Sequence, residues 1–463
     1  MSKCRTSPLA RIQPLWLPAV IAALLGPLWI SAPAWAQEGD PQEPAPQEPA
    51  PAGEAPKAAE PPAEGDSKPV LADGEFKKLT KAFQSYFQAA QKREGTLEAL
   101  DEIEKVTEAI EKKLKGRRTV ELIADLERAM VAADERSDNV EKGKIALNSF
   151  TGAWQDTIRY AVHAPKSYRV KSGPYPLLVV IPEQGKAPEV ALREQWTEPG
   201  MMEQAIVAVV GMPGNVADWG SIGSRGQAGG VASAMQVIRQ VSRAYSIDPN
   251  RVLIAGHARG AQTAIEIASL YPHVFAAAIA RAGDLGATPA TNFGNLAVLL
   301  AGAGGNASQF EGQARELGDK TVTVSPDPQL PAIWAWAKDQ RRTAHPTRVR
   351  FSPGKPEAMD AYWLNVEGFA ADGKSQLSAE IDRSNNLVRI TGEGFSHVRL
   401  MLNDRLLDLS KPVRVVINGT EQESKFAPNL RAMLDRAALV GDRGRAYTAS
   451  WRMEFTAPSK ASE

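Results

Sequence analysis

The pentapeptide Gly256-His257-Ala258-Arg259-Gly260 sets an imidazole and a guanidinium on either side of an alanine, between two glycines. A sharp bend from strand to helix is where acyl-transfer chemistry presents a nucleophile. Such chemistry needs an attacking hydroxyl or thiol, an imidazole base, a carboxylate that orients the base, and N–H groups aimed at the developing oxyanion. An alanine methyl cannot attack a carbonyl. No serine of the chain has glycine both two residues before and two after it, and the nearest imitation, Gly223-Ser224-Arg225-Gly226, follows Ile222. The single cysteine, Cys4, stands near the start, so the rest of the chain offers no thiol nucleophile and no cysteine ligand. The five histidines are His163, His257, His273, His345 and His397, and no His/Asp/Glu cluster has metal-ligand spacing. No metal and no cofactor is expected. The Gly-rich run 220–230 lacks the Gly-Lys-Ser/Thr ending that grips a nucleotide and reads as a loop.

The bend sits inside a unit spanning 248–283. The turn Asp248-Pro249-Asn250 leads into a short apolar strand at 251–255. After the bend, Ala261, Ala264, Ile265 and Ala268 follow helical spacing, and Pro272 stops the helix. A second apolar strand occupies 275–280. Upstream, 158–164, 176–181 and 205–210 read as strands, and Val231, Met235, Ile238 and Val241 mark a helix. Downstream come strands at 296–301 and 321–324 and a closing helix at 333–342, whose Trp334 and Trp336 read as core. This alternation predicts an α/β fold: a mostly parallel sheet with helices on both faces. Ligands of such sheets bind outside the carboxyl ends of the strands, where the bend lies.

Residues 150–345 resemble the α/β-hydrolases, in particular the secreted esterase and polyhydroxybutyrate-depolymerase-like branch. The resemblance is carried by Asp248-Pro249-Asn250-Arg251-Val252, by the bend with its two glycines, Gly256 and Gly260, and by Tyr271-Pro272-His273-Val274-Phe275-Ala276. It implies the fold and, in that family, cofactor-free hydrolysis of esters or peptides. It also implies where the other catalytic groups would stand. The acid would sit on the loop after a late strand, here 302–308, which holds no carboxylate. Asp284 and Asp319 read as turn residues. The base would precede the closing helix, but 324–330 holds no histidine. The oxyanion loop would follow 181, where Pro182-Glu183-Gln184-Gly185-Lys186 keeps one glycine and adds a carboxylate.

The flanks have their own character. Residues 1–36 read as a signal peptide: Lys3, Arg5 and Arg11 precede an apolar stretch at 15–30, and Ala34-Trp35-Ala36 supplies a cleavage pattern. A retained anchor is the rival reading, although the run is short for a bilayer. Residues 37–71 form a Pro/Ala/Glu-rich tract expected to be a disordered spacer. Residues 72–143 predict a helical hairpin or three-helix segment. Phe76, Leu79, Phe83 and Phe87 mark its first face, Leu97, Leu100, Ile103, Val106, Ile110 and Leu114 the second, and Thr119 the cap of a third helix. Residues 348–463 predict a β-rich accessory domain with an Asn418-Gly419 tight turn and one helix at 426–439.

Lys and Arg together number 54, as do Asp and Glu, so no basic surplus points to nucleic acid. Export to the periplasm, cell envelope or extracellular space is expected, with no membrane span after signal cleavage. The leading functional reading is a pseudo-hydrolase whose vacated pocket binds a small molecule or an envelope protein. His257, Arg259, Gln184, Gly185, Asn306 and Asp327 are its expected liners. An active hydrolase with a displaced or non-triad apparatus, using water activated by His257 or a carboxylate, is the second. A cell-envelope scaffold acting through 72–143 is the third.

Overall fold

The computed structural model describes residues 69–455, apart from 135, 225, 320, 356, 357 and 371–373. The segment 1–36, read from the sequence as a signal peptide, and nearly all of the 37–71 tract lie outside the described residues.

Eight strands form the central sheet. They are β1 (Ile145–Thr151), β2 (Thr157–His163), β3 (Tyr175–Ile181), β4 (Ile206–Val210), β5 (Ile247–His257), β6 (Ala277–Arg281), β7 (Ala297–Ala301) and β8 (Val322–Ser325). Their order is β1-β2-β4-β3-β5-β6-β7-β8. Only β2 runs against its neighbours; β3, β4, β5, β6, β7 and β8 pair in parallel. The inner strands are apolar on both faces, as a sheet covered twice requires. All five residues of β4 are buried, and so are the last six of β3. One face is covered by α6 (Gly230–Ala244) and α7 (Arg259–Leu270), the other by α4 (Pro188–Gln195), α5 (Pro199–Gln204) and α9 (Leu330–Ala337). Helix α8 (Ala307–Glu316) packs by Phe310 edge-to-face on Phe293, with ring centres 5.2 Å apart.

Several boundaries differ from the sequence reading. The sheet opens at Ile145, because β1 is an edge strand whose mixed composition carries little signal. Strand β5 is eleven residues long, with the Asp248-Pro249-Asn250 turn absorbed into its start. The closing helix covers Leu330–Ala337 rather than 333–342: Pro331 sets its beginning. Its supposed last turn instead delivers Arg342 to Asn250 and Asp442.

The N-terminal helices are α1 (Asp73–Lys92), α2 (Thr96–Glu111) and α3 (Ile123–Ala132). Leu79, Phe83 and Phe87 are buried, but Leu97, in the first turn of α2, is 62% exposed. Thr119 does not cap α3: it opens a short 3-10 turn, and its hydroxyl donates to the Thr107 carbonyl at 3.4 Å. The third helix begins after Leu122.

Among the described residues, nine strands build the C-terminal region: β9 (Arg348–Phe351), β10 (Asp360–Ala361), β11 (Leu364–Glu367), β12 (Gln376–Asp382), β13 (Leu387–Glu393), β14 (His397–Leu402), β15 (Val413–Ile417), β16 (Thr420–Ser424) and β17 (Ala449–Glu454). They form a five-stranded sheet, β9-β12-β13-β15-β16, and a four-stranded sheet, β10-β11-β14-β17. Asn418 (φ 48°) and Gly419 (φ 88°) turn β15 into β16, a two-residue hairpin with both φ positive. Helix α10 (Leu430–Val440) starts later than 426 because Asn429 caps it, accepting from Ala432 N–H at 3.0 Å. Buried residues of both C-terminal sheets are continuous with the core on one face of the central sheet.

Candidate functional site

Strand β5 ends at His257 and α7 begins at Arg259, so Ala258 alone makes the bend. It takes φ 51° and ψ −119°. For a residue with a Cβ this is a strained conformation, costing about 1–3 kcal/mol unless the surroundings impose it. Here they do. The Ala258 N–H donates to the Arg281 carbonyl at 3.0 Å, and the Ala258 carbonyl accepts from Ala261 N–H at 3.1 Å. A Cβ at 256 would strike the Gly260 carbonyl, and one at 260 the Ile181 and Pro182 carbonyls. A third glycine joins them: a Cβ at 283 would strike the Ala258 carbonyl. The geometry of a nucleophile elbow is complete, with a methyl where the hydroxyl would be.

The loops that would carry the other catalytic groups do other work. In the loop after β7, Asn306 accepts from Leu285 N–H at 3.2 Å and donates to the Gly286 carbonyl at 2.5 Å. Asp284 accepts from the N–H groups of Leu285 (2.6 Å) and Gly286 (3.2 Å), an ordinary turn role. Asp319 pairs with Arg350. Before α9, Asp327 accepts from Gln329 N–H at 2.8 Å. The ground between that loop and α4 is taken by Arg281, whose guanidinium donates to the Pro328 carbonyl (2.8 Å) and the Gln195 carbonyl (2.5 Å) and lies 5.4 Å from the Trp196 ring centre.

The histidines are scattered. His163 and His273 are buried in β2 and in the turn after α7, and His345 is bonded to Glu127 at 2.6 Å. The hydroxyl–imidazole pair Ser396–His397, at 2.9 Å, lies in and beside β14, away from the central sheet. His257 is the histidine at the elbow. Its Nδ1 is 3.8 Å from a Glu183 oxygen, which accepts from Gln195 Nε2 at 2.8 Å. Burial, then the Arg281 charge, pushes its pKa down against a smaller upward pull from Glu183. Glu183 is therefore bonded to Gln195, while the Nδ1 of His257 lies near it without a hydrogen-bond partner. The rest of its loop is a tight turn closed by Lys186 N–H on the Glu183 carbonyl at 3.2 Å, with Gln184 exposed and Gly185 at φ 80°.

A cleft of about 570 Å³ opens beside the elbow, lined by Val216, Ala217, Gly220, Ser221, Ile222, Gly223, Arg259, Glu266 and Lys355. Of the expected liners it contains only Arg259; His257, Gln184, Gly185, Asn306 and Asp327 are not brought into it. Arg259 is exposed, bonds to Gln262 and meets no carboxylate among the described residues. Opposite, Lys355 is paired with Glu266 at 2.6 Å and also bonds to the Gly220 carbonyl. Loop 216–223 and Glu266 were legible as residues but not as liners, because nothing local marks them. Lys355 arrives from beyond β9, and no spacing in the sequence announces that reach.

No family model matches this chain, and no curated protein matches it. Among solved structures it is similar to a thermostable esterase, at 20% identity and TM-score 0.35 over 43% of this chain; it spans 63% of that chain, less than two thirds. It is also similar to a ferulic acid esterase (14% identity, TM-score 0.35, 42% of this chain and 96% of that one). A third is the apo S-formylglutathione hydrolase from Staphylococcus aureus (12% identity, TM-score 0.33, 42% and 96%). The sheet order, the single antiparallel strand inside it and the strained bend after β5 are features of this chain itself, and together they give it the α/β-hydrolase fold, with alanine at the elbow.

Proposed function

We propose that this chain is an exported pseudo-hydrolase, a polyhydroxybutyrate-depolymerase-like esterase scaffold that binds a small molecule in the cleft beside its elbow and does not turn it over. The observation that carries the reading is Ala258 at φ 51°, ψ −119°. The nucleophile's backbone is kept, while the loop at 302–308 holds no carboxylate and the loop at 324–330 holds no histidine. Arg259, lacking a carboxylate partner among the described residues, suits a ligand carrying a carboxylate or another anionic group.

Hydrolysis of p-nitrophenyl acetate and butyrate tests this. The purified protein is expected to match the buffer blank, and Ala258→Ser is expected to stay there, because a serine without a base is a weak nucleophile. Turnover that disappears in Arg259→Ala or His257→Ala would overturn the proposal. The contact between His257 and Glu183 favours one rival, water activated by a neutral imidazole. Loss of activity in His257→Ala, with Arg259→Ala unaffected, is the signature of that rival.

A further inference from the structure

The three main sheets have six edges, and five are defended. Strand β9 carries Arg348 and Arg350, β16 carries Glu421 and Glu423, and β17 carries Arg452 and Glu454. Strand β10 is two residues long and includes Asp360. Strand β8 has four residues and runs straight into Pro326 and Pro328. Charges, prolines and shortness are how sheets avoid joining edge to edge.

The remaining edge is β1, Ile-Ala-Leu-Asn-Ser-Phe-Thr: seven residues without a charge, a proline or a glycine. Its register with β2 is unbroken from Ile145↔His163 to Thr151↔Thr157, so no bulge bends it away. Apart from β2, no hydrogen bond among the described residues reaches it. Leu147 is 55% exposed, and Ser149 and Thr151 are exposed beside it.

We propose that β1 pairs antiparallel with β1 of a second copy of this chain, about a two-fold axis through Asn148, joining two central sheets into one. The occupant is argued from self-complementarity, which an isologous two-fold contact demands. Centred on Asn148, the register sets Ile145 against Thr151, Ala146 against Phe150 and Leu147 against Ser149. Asn148 meets itself, and one amide can donate to and accept from the other. No charge faces a like charge. The flanking Lys144 is paired with Glu141 at 3.1 Å and falls opposite Gly152, not opposite a like charge. On one face Phe150 already stacks edge-to-face on Tyr160, with ring centres 6.0 Å apart, so a partner's Ala146 extends an existing apolar strip.

Light scattering coupled to gel filtration tests the proposal on the full chain. The wild type is expected at twice the chain mass. Leu147→Lys/Ser149→Lys places lysine opposite lysine across the axis and is expected to be monomeric, as is Leu147→Glu/Ser149→Glu. Mixing the two double variants is expected to restore the dimer, which a folding defect would not allow. In a Cys4→Ser background, Asn148→Cys is expected to cross-link under mild oxidation, since facing Cα atoms of about 4.5–5.5 Å lie within disulfide reach. A monomeric wild type overturns the proposal. So does a lysine double variant that stays dimeric, a mixture that stays monomeric, or a cysteine at 148 that does not cross-link.

Discussion

Ala258 keeps a backbone conformation whose usual benefit, an exposed nucleophile, it cannot supply. The strain is held by neighbours: the glycines at 256, 260 and 283 admit carbonyls where a methyl would collide. Glycine at 258 would adopt φ 51° at little cost. Relief of about 1–3 kcal/mol of strain, less about 0.4–1 kcal/mol for a freer unfolded chain, leaves Ala258→Gly stabilised by about 1 kcal/mol. The midpoint of urea unfolding reads this directly. A midpoint that falls would mean the bend is comfortable for alanine and that the strain argument fails.

Among the elements, α3 is the one most firmly tied to distant parts of the chain. Glu127 on α3 is bonded to His345 (2.6 Å), accepts from Arg405 (3.1 Å) and also from the Ala446 N–H (2.9 Å). Burial alone would raise its carboxyl pKa, but the His345 interaction, with smaller help from Ala446 and Arg405, holds it below the ordinary value. Glu127→Gln takes the carboxylate away from the buried His345 ring and leaves the Arg405 guanidinium without its counter-charge, and removing one partner of a buried pair costs about 3–5 kcal/mol. A loss of that size in chemical denaturation is expected; a change under about 1 kcal/mol, the level of an exposed pair, would show that the network carries little. The sequence made legible the elements that their own residues decide. Strand β3 is an unbroken apolar run, α7 shows helical spacing up to Pro272, and Asn418-Gly419 dictates its turn. Elements decided by distant partners were not legible. Strand β1 exists because β2 pairs with it, α9 stops where Arg342 must reach Asp442, and Arg281 fills its space only once β6 lies beside the elbow. The site divides the same way: Arg259 followed from the bend, whereas Glu266 and Lys355 needed the fold.

Over the whole molecule, buried ionisable groups tie stability to pH. Burial lowers the pKa of His163, His257 and His273. A histidine depressed in the folded state is neutral in both states at high pH, while the unfolded chain takes up protons first below about 6.5. Stability is therefore expected to be level above about pH 7 and to fall as the pH drops through 6.5. Asp442, held low by Arg342 and Arg445 despite its burial, and Glu367, held low by Arg452, add to the same decline at more acidic pH, where the unfolded carboxylates protonate. Denaturation midpoints from pH 8 to pH 5 read the slope, and His273→Gln should flatten it whatever it does to the midpoint at pH 8. A rising stability toward pH 5 would contradict the assignment. One more property follows from the core that Leu79, Phe83, Leu126 and Met130 share with Met433, Leu434 and Ala446. A ribosome delivers the first four of these long before the last three exist. The early helices can bury most of their oily side on one another as they form, but the strip of α1 that α10 covers stays bare until the tail of the polypeptide has emerged and come back to it, so the beginning of this chain is sealed late.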